Sequence, residues 1–174
     1  MRGPRRPDGT APLSSHTLPP SFLDRYDGTS FSPLYTATVT VTGGDDRHGR
    51  VSGEARSSDG ALAVSLRLPS EMGGPGGGTN PEQLFAAGFA ACFHGALSLL
   101  AVREGVHIPD ASVTASIHFG RDPEDGLFTL AAEVRIALPG IDRNVAKTLV
   151  RHTERICPYA KMARQGIECV VRLE

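Results

Sequence analysis

The sequence predicts an α+β fold with largely antiparallel pairing, in which about six strands pack around a long buried helix and a second helix. Two observations predict this fold class. Apolar and polar residues alternate in several separate stretches, and one stretch of about 20 residues is almost free of charged side chains. Their order along the 174 residues is strands, helix, strands, helix, strand, and the length suits one domain with a hydrophobic core.

The first three predicted strands resemble a meander. LYTATVTVT (34–42) alternates with the period of a half-buried strand, and two glycines end it. RVSGEARS (50–57) and ALAVSLRLP (61–69) follow as the second and third strands. The glycines and proline of SEMGGPGGGT (70–79) cannot continue a sheet, so we expect a loop there.

A long helix follows that loop. Asn80 suits the N-cap, Pro81 suits the first helical position, and Gln83 stands where a capping-box side chain reaches back. We expect the helix to run to about Glu104, with Gly105 as its stop.

The interior of this helix, residues 84–102, approaches the length of a membrane span. It holds six alanines, two glycines, a serine and a histidine, so its hydrophobicity on an insertion scale is weak. Its flanks are polar and rich in predicted strands. The sequence therefore favours a helix buried on nearly all sides over a membrane span.

The second half of the chain predicts a hairpin, a helix and a strand. Two alternating runs, 113–119 and 128–138, flank the polar loop RDPEDG. Asp142 caps an amphipathic helix, which Pro158 ends. IECVVRLE (167–174) closes the chain as a strand.

Composition narrows the classes of function. Eighteen basic and nineteen acidic residues give a net charge of -1, so no nucleic-acid or anionic-membrane partner is expected. Residues 1–33 lack an apolar signal core and are rich in Pro, Gly and Ser, which predicts a disordered extension before a domain at 34–174. Three cysteines with no metal-ligand spacing favour a reducing cytoplasm and no metal site.

Each cysteine has a structural and a functional interpretation. Cys169 shares a predicted strand face with apolar residues and is expected to pack there. Cys157, at a helix end before a proline, is expected to be more accessible than a core thiol, and both interpretations stay open. Cys92 lies three turns into its helix, which by position alone favours an inert buried thiol. His94 points about 200° away around the helix and cannot pair with it.

Four segments together resemble one family. TNPEQLFAAGFAACFHGAL, the preceding EMGGPGGGTNPEQ, the SSDG before the third strand, and ICPYA near the end occur in order and at nearly the expected spacing. They are similar to the organic hydroperoxide resistance (Ohr) branch of the OsmC/Ohr thiol peroxidases, from about Leu34 to the C-terminus. The resemblance implies the OsmC/Ohr fold and an intertwined homodimer.

The resemblance also implies a site and a reaction. Cys92 falls on the peroxidatic cysteine, Cys157 on the resolving cysteine, and Glu82 on an acidic residue that orients an arginine. Cys92 would reduce an organic hydroperoxide and become a sulfenic acid, and Cys157 would close a disulfide. No cofactor is bound; the implied electron donor is a lipoyl-bearing protein or dihydrolipoamide, which opens the disulfide by exchange.

The chain departs from the family pattern in the segment that carries the implied arginine. Family members usually read GGRxG shortly before SSD, whereas this chain reads GGDDRHGRVSGEARSSDG. Arg47 matches best and would stabilise the thiolate, Arg50 is the runner-up, and Arg56 is third. The segment after Cys157 also differs, reading AKMARQG instead of SNATRGN, which bears on the surface that meets the reductant.

Helix geometry adds an expectation about the dimer. Glu82 and Cys92 are ten residues apart on one helix, about 15 Å along its axis, so one compact site would need the glutamate of a second chain. Apolar walls around Cys92 are expected from Phe85, Phe89 and Leu99, and they suit an alkyl or lipid hydroperoxide. Ordinary core packing explains the same three side chains.

Three alternatives compete with this interpretation. One is the OsmC branch of the same family, with similar chemistry and a different balance of substrates. Another is a redox sensor or hydrophobic-ligand-binding dimer that uses the two cysteines without turnover. A cysteine hydrolase is disfavoured because no motif places a His with an Asp or Asn.

Overall fold

The α+β class is confirmed by the computed structural model, which describes residues 23–45 and 51–173. Its described part contains five strands, three helices and a short 3-10 turn, rather than six strands and two helices. In chain order the elements are β1 (Val39–Thr42), β2 (Glu54–Ser57), β3 (Ala63–Ser65), the 3-10 turn (Ser70–Met72), α1 (Pro81–Arg103), β4 (Ser112–Arg121), β5 (Phe128–Ala137), α2 (Arg143–Ile156) and α3 (Pro158–Gln165).

The first three strands form the predicted antiparallel meander, in the order β1-β2-β3. They are shorter than the alternating stretches that predicted them. Ala55 of β2 is buried and contacts Leu66 and Val51 in a small cluster. Val39 and Val41 of β1 are 47% and 55% exposed, so the half-buried face predicted for this strand is wrong within the single chain.

The start of α1 follows its sequence signals. Asn80 is the N-cap, and its side-chain oxygen accepts a hydrogen bond from the backbone N–H of Gln83 at 2.8 Å. Pro81 occupies the first helical position. The Gln83 side chain is used differently from the prediction, because its oxygen accepts a bond from the Thr79 hydroxyl at 2.9 Å.

The two sides of α1 differ in burial. One side is buried through Phe89, Phe93 and Leu97, whereas Ala87 and Ala91 on the other side are exposed. The predicted burial on nearly all sides is therefore wrong within the single chain. By length and composition alone α1 could cross a membrane, a test that core helices also pass, and 28% of its most apolar window is buried.

The hairpin β4–β5 is the larger sheet and covers the buried side of α1. Its register pairs Val113 with Ile136 and Ala115 with Val134, and these side chains pack on the α1 core. Alternation thus predicted the inner face of β4 correctly. Phe128, at the start of β5, was assigned to the same inner face but is 58% exposed.

The chain after the hairpin corrects two predictions. Asp142 caps α2 as expected, accepting bonds from two backbone N–H groups. Pro158 ends α2 but also begins α3, which the sequence interpretation missed because proline is equally suited to the first turn of a new helix. Residues 167–173 form no strand and are exposed, so the predicted closing strand is wrong within the described chain.

A short part of the predicted extension reaches the core. Leu23 packs beside Leu97 and Leu149, and its carbonyl accepts a bond from Arg103 Nη1 at 3.2 Å. The division into an extension at 1–33 and a domain at 34–174 stays a prediction.

Candidate active site

Two cysteines that are 65 residues apart in the sequence contact each other in the folded chain. Cys157 Sγ donates a hydrogen bond to Cys92 Sγ across 3.5 Å, and both are free thiols. Cys92 comes from the middle of α1, and Cys157 is the single residue between α2 and α3. The structure therefore brings together the two residues that the resemblance paired.

The burial of the two thiols is the reverse of the sequence expectation. Cys157 is completely buried, and Cys92 is only partly buried. Two helices fix Cys157, because its N–H donates to the Thr153 carbonyl at 2.8 Å and its carbonyl accepts from Lys161 N at 3.0 Å. The turn at this residue directs its side chain towards α1, so the accessibility predicted for a helix end is wrong here.

An aromatic cluster lies beside the thiols. Phe85, Phe89 and Tyr159 contact one another with ring centroids 5.9 to 6.1 Å apart. They pack in one apolar cluster with both cysteines. Tyr159 was missed as a site residue, although its place two positions after Cys157 in the ICPYA segment was a usable signal.

The predicted wall residues separate into two groups. Phe89 is buried and Phe85 is partly buried within the cluster that holds the cysteines. Leu99 is partly buried and lies outside that cluster, two turns of α1 beyond Cys92.

The surroundings of Cys92 disfavour its anion. Burial raises the pKa of the Cys92 thiol above its ordinary value, and the neighbouring Cys157 thiol raises it further. The backbone amide of Tyr159 acts in the opposite direction and lowers that pKa. The described neighbours therefore keep Cys92 protonated at neutral pH, and a reactive anion needs a further positive charge.

The candidates for that charge are the three arginines of the β1–β2 region. Arg47 and Arg50 lie outside the described residues. Arg56 is exposed on β2, and its guanidinium contacts Glu54 on the same strand at 2.7 Å. Glu82 lies in the first turn of α1 and is partly buried. The axial separation of Glu82 from Cys92 within that helix is about 15 Å.

Two other residues are not brought to the site. His94 is exposed, which agrees with its expected separation from the chemistry. Cys169 is also exposed, so its predicted packing is wrong: it lies in the segment 167–173, which pairs with no described strand. Among residues 23–45 and 51–173, no group of three or more His, Cys, Asp or Glu side chains could hold a metal ion.

Comparisons with known proteins show the family of the chain. The family model described as OsmC-like protein matches residues 74–172. An organic hydroperoxide resistance protein of Xanthomonas axonopodis pv. citri (strain 306) is 44% identical over 142 residues, covering 80% of this chain and 94% of that protein. The crystal structure of the organic hydroperoxide resistance protein OhrB of Bacillus subtilis is 37% identical with a TM-score of 0.66, covering 76% of this chain and 93% of that one. The crystal structure of an organic hydroperoxide resistance protein from Legionella pneumophila is 37% identical with a TM-score of 0.68, covering 78% of this chain and 93% of that one.

Proposed function

The chain belongs to the OsmC family, and from this membership we propose that it is a cysteine-dependent peroxidase that reduces organic hydroperoxides to alcohols. The observation that carries the proposal is the 3.5 Å contact between Cys92 and Cys157 inside an apolar cluster. Relatives named organic hydroperoxide resistance proteins support the class of substrate.

The partly exposed thiol is assigned the first step. The Cys92 thiolate attacks one oxygen of the hydroperoxide, the O–O bond breaks, and the other oxygen leaves and takes up a proton as the alcohol. Cys92 is then a sulfenic acid. Cys157 attacks its sulfur, so that an S–S bond forms, the S–O bond breaks, and hydroxide leaves as water after protonation. The fully buried position of Cys157 suits a thiol that meets Cys92 rather than the substrate.

The apolar surroundings of Cys92 support an alkyl or lipid hydroperoxide as substrate. Phe85 and Phe89 contribute apolar surface beside the thiols, and Leu99 stays a predicted wall residue. A dithiol such as a lipoyl-bearing protein or dihydrolipoamide would open the disulfide by exchange. The cytoplasm, which keeps thiols reduced, is the proposed location.

Exposed apolar surface supports the proposed homodimer. Ala87 and Ala91 leave one side of α1 exposed although the helix is apolar all round, a composition that is typical of a helix buried on all sides. Val171 and Leu173 near the C-terminus are 92% and 101% exposed. A second copy of the chain would cover such surfaces.

The proposed counterion of the Cys92 thiolate is the guanidinium of Arg47, with Arg50 as the runner-up. Glu82 would fix the orientation of that guanidinium. We expect the alanine variant of the true counterion to raise the pKa of Cys92, because loss of a cation disfavours the anion. Below that pKa, the thiolate fraction at a fixed pH falls about tenfold for each unit by which the pKa rises. Peroxide reduction at pH 7 should fall in step and recover as the pH is raised.

The measurement is thiolate absorbance against pH in a Cys157→Ser, Cys169→Ser background, where Cys92 is the only thiol. Arg135→Ala is the matched control, because Arg135 is exposed on β5 and contacts Glu133. An unchanged Cys92 pKa in both the Arg47→Ala and Arg50→Ala variants would remove the arginine from the proposal.

The proposed function is tested by turnover. With dihydrolipoamide in excess, the purified protein should consume many equivalents of cumene or tert-butyl hydroperoxide per chain. A redox sensor or hydrophobic-ligand-binding dimer would instead stop after about one equivalent, with the disulfide accumulated.

A further inference from the structure

We propose that Gly88 is a positioning residue for disulfide closure: its missing side chain admits the Tyr159 ring against α1, and this contact holds Cys157 against Cys92. The inference rests on the proposed function and deepens it, since it concerns the step that follows peroxide reduction. Gly88 lies four residues before Cys92, one turn earlier on the same face of α1.

The contact at Gly88 leaves no room for a methyl group. A Cβ built there would lie 2.9 Å from the Tyr159 hydroxyl oxygen and 3.3 Å from two of its ring carbons. The other glycine of α1, Gly95, would meet nothing within 4 Å. Glycine lowers the stability of a helix interior, and at Gly88 the approach of Tyr159 is a local reason for this residue type.

The Tyr159 ring has little freedom to turn aside. It is partly buried and packs against both Phe85 and Phe89, with ring centroids 6.0 and 5.9 Å away, and the two Phe rings also contact each other. A methyl group on Gly88 would therefore push the start of α3 away from α1 instead of rotating one side chain.

Such a displacement would reach the buried thiol directly. Cys157 lies two residues before Tyr159, and its backbone N–H and carbonyl are both held in the hydrogen bonds of the flanking helices. Because the backbone of Cys157 is held by these helices, its sulfur moves with them when they move away from α1. The 3.5 Å distance between the two sulfurs should then increase.

Disulfide closure is the step that depends on this separation. Cys157 Sγ must attack Cys92 Sγ along the S–O bond as water leaves, whereas the first step needs the Cys92 thiolate and the hydroperoxide but not Cys157. A misplacement of about 1 Å can slow a positioned reaction by roughly a hundredfold. Gly88 should therefore act on closure far more than on peroxide reduction.

The experiment compares reduced wild type with Gly88→Ala, Tyr159→Phe, the double variant of both, and Gly120→Ala as the glycine control, because a Cβ at Gly120 on β4 would meet nothing within 4 Å. One equivalent of cumene hydroperoxide, and in a parallel run an excess, is added, and the sulfenic acid, disulfide and sulfinic acid are followed by quenched-flow mass spectrometry. A second arm uses diamide, which links to one thiol and is displaced by the other, so closure is measured without any hydroperoxide.

We expect Gly88→Ala to slow closure by about tenfold or more in both arms and to increase sulfinic acid at excess peroxide. The rate of Cys92 oxidation should fall far less than the rate of closure, because displacement of Tyr159 weakens only one of the contacts that stabilise the Cys92 thiolate. The double variant should regain most of the closure rate, because Phe lacks the oxygen at 2.9 Å, and Gly120→Ala should match wild type.

Closure at the wild-type rate in Gly88→Ala would overturn the inference, and so would slow closure that Tyr159→Phe does not relieve. If Gly88→Ala alone does not fold, a folded double variant with near-normal closure supports the same contact, and a double variant that also fails to fold counts against it. A protein inert to hydroperoxide that still shows the diamide pattern would refute the proposed function and leave the positioning role intact.

Discussion

Replacing Cys92 with serine is expected to abolish hydroperoxide turnover, whereas replacing Cys157 with serine should leave about two reductions per chain when the hydroperoxide is in excess. Serine has the size of cysteine, but its hydroxyl is not ionised at neutral pH and is a poor nucleophile towards oxygen. We expect Cys92→Ser to lower the rate by roughly a thousandfold or more. The measurement is alcohol formed from cumene hydroperoxide with dihydrolipoamide present.

The Cys157→Ser variant separates the two chemical steps. Its Cys92 should still form a sulfenic acid and release one equivalent of alcohol. Without the thiol at 3.5 Å, that sulfenic acid persists and is oxidised further to the sulfinic acid by excess peroxide, which releases a second and last equivalent of alcohol. Mass spectrometry should show two added oxygens on Cys92 in this variant and a disulfide in the wild type.

Cys169 provides the matched control within the same chain. It is exposed and separate from the cluster of Cys92 and Cys157, so Cys169→Ser should retain wild-type turnover. Sustained turnover in Cys157→Ser would assign resolution to another thiol, and loss of turnover in Cys169→Ser would point to that residue.

The parts of the fold that the sequence predicts best depend on local chemistry. The Asn80 cap and the Asp142 cap require only side chains that accept bonds from nearby N–H groups, so the starts of α1 and α2 were predicted correctly. The β4–β5 pairing follows from alternation across a short loop. α3 was missed because Pro158 is compatible with both the end of one helix and the start of the next.

The wrong predictions depend on long-range packing. Whether a thiol is buried depends on what lies across from it, and for Cys157 that is α1, 65 residues earlier in the sequence. β1 and residues 167–173 have the alternation of buried strands but lie exposed. Alternation reports that a face will be covered, not by which chain, and the proposed partner subunit would account for both segments.

The second large effect is expected if each active site of the proposed homodimer uses Glu82 of one chain and Cys92 of the other. The chain folds Cys92 and Cys157 into contact by itself, yet Glu82 and Cys92 are separated by about 15 Å of one rigid helix. If one arginine contacts both side chains, the glutamate must come from the partner in the proposed homodimer. A Glu82→Ala chain and a Cys92→Ser chain should then be nearly inactive alone and active together.

The expected activity of the mixture follows from the number of intact sites. Random pairing of the two variants makes about half of the dimers mixed, and each mixed dimer has one intact site of two, giving roughly a quarter of the wild-type activity. Turnover of cumene hydroperoxide after co-refolding of the two chains is the measurement.

The control mixes Glu82→Ala with a chain that carries both Glu82→Ala and Cys92→Ser. No pairing of these two chains supplies Glu82 to any site, so activity should stay at the level of the variants alone. The same baseline in the first mixture, with mixed dimers verified by native mass spectrometry, would place Glu82 and Cys92 of each site in one chain. Recovery only in the first mixture would instead assign Glu82 to the site of the opposite subunit. In that mixture the chain with an intact Cys92 lacks Glu82, so only the Cys92→Ser chain can supply the carboxylate.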